Sequence, residues 1–71
     1  MFRKTRHIHF IGIGGIGMSG MAELLQKLGF QISGSDSALS EKTAQLSELG
    51  IQVYKGHDGS NILDSDVVVY S

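Results

Sequence analysis

Gly12, Gly14 and Gly17 form a G-x-G-x-x-G pattern within FIGIGGIGMSG, the stretch from Phe10 to Gly20, directly after one short apolar run and before an amphipathic one. At such a junction the first glycine permits a tight turn out of a strand, the second lets the backbone approach a diphosphate, and the third lets helix pack on sheet. The first amides of a helix lack an intrahelical acceptor and sit in the positive end of its dipole, so the amides from about Gly15 to Met18 form an anion cradle. Gly20, one turn further in, is expected to allow a close approach of the helix to the sheet rather than a ligand contact. Asp36, at the end of the next apolar segment, stands about 20 residues on, where an acid accepts hydrogen bonds from a ribose diol; a turn or capping aspartate would occupy the same place. Ser37 beside it is placed to meet a base or sugar, or simply to complete the turn.

His57, in KGHDG, follows the third apolar segment and falls on the same carboxyl edge of the sheet as the glycine loop, where ligands of open α/β sheets sit. His7 and His9 share one face of the first strand, but no third ligand lies near them in sequence, so they read as structural rather than metal-binding. Met18 and Met21 read as core fill. The chain has no G-x-x-x-x-G-K-[ST] loop, no serine or cysteine in a nucleophile setting and no paired carboxylates at a useful spacing. Its residues describe binding, and none of them describes catalysis.

Alternating strands and helices must position these groups. His7 to Ile11 (HIHFI) reads as the first strand. A helix follows from about Ile16 to Leu28, where Met21, Leu24, Leu25 and Leu28 recur at i, i+3, i+4 and i+7 and predict the inner stripe. Gly29 is placed as a left-handed cap. Phe30 to Gly34 (FQISG) reads as a second strand running out into SDS. Ser40 is placed to N-cap a second helix, with Glu41 in its positive first turn, Leu46 and Leu49 inside and Gly50 as terminator. Ile51 to Tyr54 alternates as a half-buried strand does, a short helical segment falls around Ser60 to Leu63, and Val67 to Tyr70 (VVVY) reads as a strand buried on both faces. The order β-α-β-α-β-(α)-β predicts an α/β, Rossmann-like parallel sheet in strand order 3-2-1-4 with helices on its faces. The last strand runs to Ser71 with no fifth strand or closing helix behind it, which predicts one domain, 1–71, truncated after its fourth strand, as the front part of a larger protein.

Seventy-one residues, 41% hydrophobic and 18% charged, describe an ordinary small globular domain. The net charge of −1 gives no footprint for nucleic acid, and the basic residues Arg3, Lys4 and Arg6 read as a solvated lead-in to the first strand. No apolar run approaches the ~18 residues of a membrane span. Zero cysteines exclude a disulfide framework and a thiolate metal site, which fits the cytoplasm.

Spacing alone leaves two ligands open, a nicotinamide dinucleotide and another nucleotide diphosphate. The wording of the motifs goes further. HIHFIGIGGIGMSGMAELL followed by GFQISGSD, then LGIQVYKGH and DVVVYS in order, resembles the start of the Mur ligase family of bacterial cell-wall enzymes, in the branch that joins L-alanine to UDP-N-acetylmuramate. The resemblance covers nearly the whole chain from His7 on. It implies an N-terminal domain holding the UDP part of the substrate, with ATP and Mg2+ bound by later domains and the muramate carboxylate activated as an acyl phosphate for attack by the alanine amine. It implies that Gly15, Ile16, Gly17 and Met18 present amides to the diphosphate, with Gly12 and Gly14 shaping the loop. Asp36 and Ser37 would lie near the uridine, and His57 and Ser71 along the same edge. The partners implied are UDP-N-acetylmuramate and the rest of the ligase chain, and the fragment alone is not expected to be catalytic. The competing expectation is the NAD(P)-binding half of an oxidoreductase, which would share the loop and the acid.

Overall fold

A computed structural model describes residues 6–70; the expected placing of Arg3, Lys4 and Ser71 falls outside the described residues. Four strands, β1 (His7–Ile11), β2 (Gln31–Asp36), β3 (Gln52–Lys55) and β4 (Val67–Val69), form one sheet in the order β3-β2-β1-β4. Every pairing is parallel, with His9 beside both Ser33 and Val68, and Gly34 beside Val53. The expected topology is therefore the observed one.

Alternation along β1 sends Ile8 and Phe10 to one face and His7, His9 and Ile11 to the other. The first face carries the core, in which Ile8, Phe10, Ile13, Ala22, Ile32, Leu46 and Ile51 are buried together. Helices α1 (Ile16–Lys27) and α2 (Glu41–Glu48) cover it, and the Gln26 amide Nε2 donates to the Leu49 carbonyl at 2.6 Å, tying the end of one helix to the end of the other. Left-handed backbone at Gly29 (φ 104°) and Gly50 (φ 93°) stops both helices, as expected of a residue without a Cβ.

The inner stripe of α1 differs from the expected one. Ala22 and Ser19 are buried and Met18 and Leu25 pack against the core, whereas Leu24 and Leu28 are 57% and 66% exposed and Met21 is exposed as well. Apolar residues occur on most of this helix's circumference, so two stripes fit the period, and only the direction in which the loop delivers the helix selects one. Met18 therefore fills core as expected, and Met21 does not. Gly20 is a second correction. It is exposed and an added Cβ would meet nothing within 4 Å, so this glycine makes no close approach to the sheet. The same holds for Gly17. The close approach belongs instead to Gly34, where a Cβ would stand 2.7 Å from Ile13 Cβ and 2.9 Å from its Cγ1.

In α2, Thr43 and Leu46 face inward and Leu49 is exposed. Strand β4 is also less buried than its VVVY run predicts: Val67 is exposed and Val68 and Val69 are half-buried. Among the described residues β4 pairs only with β1, so one of its edges carries no neighbour.

Candidate functional site

The loop from Gly12 to Gly15 leaves β1 through a left-handed Gly12 (φ 83°), a conformation costly for other residues. Its amides are already used. Those of Gly12 and Ile13 donate to the Ser35 carbonyl at 2.8 and 3.0 Å, that of Gly14 to Asp36 Oδ2 at 2.8 Å, and that of Gly15 to the Gly12 carbonyl at 3.1 Å. The first intrahelical bond of α1 runs from the Ser19 amide to the Gly15 carbonyl. Between them the amides of Ile16, Gly17 and Met18 have no protein acceptor among the described residues. Gly15, the N-cap, has no side chain to offer them one. Ile16 is 92% exposed, Gly17 is exposed and Met18 is half-buried, so these three donors stand in a first helical turn, at its positive end, that is largely open to solvent. That arrangement can hold an anion, and the expected cradle of Gly15 to Met18 narrows to the amides of Ile16, Gly17 and Met18.

Asp36 lies at the carboxyl end of β2, half-buried, with Oδ2 on the Gly14 amide and Oδ1 accepting from the Ala38 amide at 3.2 Å. The lack of a side chain at Gly14 gives this bond its room: a Cβ there would come within 2.9 Å of Asp36 Oδ2 and 3.1 Å of Thr43 Cγ2, so the carboxylate would have to shift. Ser37 follows, exposed, on the same edge. The sequence reading did not foresee the carboxylate–loop bond, which no spacing rule encodes.

His57 is held elsewhere. Its Nδ1 is 2.9 Å from Ser35 Oγ, and since Gly34 and Asp36 point toward α1 and α2, Ser35 points to the opposite face. There His57 lines a cavity of about 160 Å³ with His9, Ile11, Ser35, Asp58, Gly59 and Ile62, the last two from a 3-10 turn at Gly59–Ile62. Two hydrogen bonds from Ser60, its backbone amide first, hold the exposed Asp58 below the usual carboxylate range. Ser71, the remaining expected site residue, is outside the described residues.

The same face carries a network that the sequence reading missed. Ser33 Oγ lies 2.7 Å from both His7 Nε2 and His9 Nδ1. His7 Nδ1 faces the Asp64 carbonyl at 3.1 Å, and a carbonyl only accepts, so the proton of neutral His7 is assigned to Nδ1. Ser33 then donates to His7 Nε2 and accepts from His9 Nδ1–H, which leaves His9 Nε2 with a bare lone pair. That atom is buried without a partner, in a residue 1% exposed. Burial first, then the neighbouring His7 and His57, lower the His9 pKa from its ordinary 6.5. His7 and His9, expected to be structural, are thus tied into one network through Ser33, and among the described residues no three metal-binding side chains converge. The available signal was parity: Ser33 and Ser35 alternate on β2 as His7 and His9 do on β1, and the parallel register brings the two rows together.

A family model described as "Mur ligase family, catalytic domain" matches residues 7–71. The chain belongs to the Mur ligase family. Over 71 residues it is 61% identical to a UDP-N-acetylmuramate–L-alanine ligase of Syntrophus aciditrophicus (strain SB), covering all of this chain and 15% of that one. A ligase of the same name from Bdellovibrio bacteriovorus is 59% identical over 70 residues, 96% of this chain and 16% of the relative. Among solved structures, the UDP-N-acetylmuramate–alanine ligase MurC of Thermotoga maritima superposes with a TM-score of 0.86 at 42% identity, over 90% of this chain and 15% of that one. A murein peptide ligase from Psychrobacter arcticus gives 0.86 at 31% identity, over 92% and 14%. The chain thus spans about 15% of the length of the curated relatives it matches. The family is one of enzymes, and the relatives matched here are named as ligases.

Proposed function

We propose that these 71 residues are the substrate-holding part, a UDP-sugar-binding domain, of a ligase that adds L-alanine to the carboxylate of UDP-N-acetylmuramate. The observation that carries this reading is the row of unpartnered amides at Ile16, Gly17 and Met18, in a chain so similar to proteins of that name. A diphosphate offers those donors several charged oxygens, and charge-assisted bonds of this kind are roughly twice as strong as neutral ones. Gly12 turns the chain into the loop, and Gly14 and Gly15 keep it flat enough for close approach. Asp36 and Ser37 would meet the uridine, and His57 and Ser71 are proposed as further contacts to the UDP-sugar.

ATP and Mg2+ belong to this reading as cofactors of the whole ligase, where they would activate the muramate carboxylate as an acyl phosphate. The residues of this chain do not fit them: it has no G-K-[ST] loop, and no three metal-ligating side chains converge among those described. The remaining partner is the rest of the ligase chain, with neither nucleic acid nor membrane as a partner. A cytoplasmic site of action is supported by the absence of cysteine, and among the described residues no helix is long and apolar enough to cross a membrane.

The test is a titration followed through backbone amide resonances. UDP and UDP-N-acetylmuramate should shift Gly14 to Met18 saturably, while NADH and NADPH should not. Saturable shifts with NADH alone would replace this reading by the oxidoreductase one.

A further inference from the structure

Four consecutive loop amides are held before the free ones begin. Gly12 and Ile13 are fixed by the Ser35 carbonyl and Gly15 by the Gly12 carbonyl, so three of the four bonds end on backbone carbonyls. Only Gly14 is held by a side chain, the Asp36 carboxylate at 2.8 Å. This contact lies between the end of β2 and the loop, two residues before the first free amide. The lack of a side chain at Gly14 serves it directly, because a Cβ would stand 2.9 Å from Oδ2. Ionised carboxylates have about four acceptor sites, and Gly14 and Ala38 occupy two, which leaves room for a sugar hydroxyl as well.

We propose that Asp36 is a positioning residue for the anion cradle: through the Gly14 amide it sets the direction of the Ile16, Gly17 and Met18 amides, and it therefore governs the binding of a diphosphate that carries no sugar. The proposal rests on the diphosphate reading of the loop and adds to it. A residue that only contacted ribose would leave inorganic pyrophosphate unaffected. Its negative charge works against an anion nearby, so deletion alone mixes two opposing effects. Asp36→Asn and Asp36→Ala separate them, since both remove the charge and only asparagine keeps an acceptor for the Gly14 amide.

Two readouts decide the matter. Hydrogen exchange of the Gly14 amide should remain slow in Asp36→Asn and accelerate at least tenfold in Asp36→Ala, with shifted Ile16 to Met18 resonances in the latter. Pyrophosphate should bind Asp36→Asn at least fivefold more tightly than Asp36→Ala. Gly14→Ala, which displaces the carboxylate but keeps its charge, should lose affinity as Asp36→Ala does. Equal pyrophosphate affinity of the two Asp36 variants, or unchanged Gly14 exchange in Asp36→Ala, overturns the proposal. Should neither pyrophosphate nor UDP bind the wild-type chain, the diphosphate reading fails, and the Gly14 exchange rates alone decide whether Asp36 positions the loop.

Discussion

Two helices, of 12 and 8 residues, begin on the same face of the same sheet, and they begin differently. At α2, Ser40 Oγ accepts from the Thr43 amide at 3.3 Å while Thr43 Oγ1 accepts from the Ser40 amide at 2.7 Å, a reciprocal box that satisfies donors from within the chain. At α1, the N-cap is Gly15, with no side chain to contribute, and of the three residues after it Ile16 and Gly17 are exposed and Met18 is half-buried. A cap of the Ser40 kind is worth a few tenths of a kcal/mol more than glycine, so leaving it out is a small standing cost to the free domain. Self-satisfied polar groups make structure, whereas aligned and unsatisfied ones make a site. The histidine–serine face follows the first pattern, except at His9 Nε2.

The largest effect should come from removing what holds the α1 start in place. Gly34→Ala drives a Cβ into the Ile13 side chain just after the Gly12 turn, and overpacking of this kind costs about 1–3 kcal/mol. Urea melts should show a loss toward the upper end of that range, and a midpoint equal to wild type would mean that Ile13 repacks freely. Next, Gly15→Asp gives α1 a cap like that of α2. Gly15 already has φ −66° and ψ 154°, which any residue adopts. Stability should rise by a few tenths of a kcal/mol and UDP affinity should fall at least tenfold, as the carboxylate takes the amides and repels the ligand. Unchanged affinity by calorimetry would show that the open helix start is not the cradle.

The histidine face provides a comparison through pH. The folded His9 pKa lies below its unfolded value, so the unfolded chain takes up the proton first as pH falls. His9's contribution is complete above about pH 6.5 and is lost as pH falls from there toward the folded pKa, and one group limits the slope to about 1.4 kcal/mol per pH unit. His9→Gln should flatten this part of the stability–pH curve measured by thermal melts; an unaltered slope would assign it to other groups. Ser40→Ala should cost about 1 kcal/mol without changing UDP affinity, which sharpens the contrast between the two helix starts. An affinity loss parallel to the stability loss would blur it. The smallest change is Gly20→Ala, expected to stabilise by about 0.5–1 kcal/mol because the position is helical, exposed and open. Destabilisation there would restore a packing role for Gly20.

Much of this was legible in the order of residues because the signals are local. The glycine stops at Gly29 and Gly50, the Ser40 cap and the turn at Gly12 depend on backbone angles and neighbours a few positions away, and each appears where expected. Strand order 3-2-1-4 followed from alternation and crossover handedness. The candidate loop was legible for the same reason, since a glycine pattern between strand and helix fixes free amides without long-range help.

What the linear order left undecided depends on which surfaces meet. Period alone could not choose between the stripe through Met21, Leu24, Leu25 and Leu28 and the one through Met18, Ala22 and Leu25, because both are apolar, share Leu25, and are separated only by the loop's exit direction. Parallel register decided that His7 and His9 face Ser33, and that His57 reaches Ser35 on the face away from the helices. The sequence by itself determined that a helix would start with free amides after β1. Only the tertiary structure decided that Gly14 belongs to Asp36, because that bond joins residues 22 positions apart and exists only once β1 and β2 lie side by side.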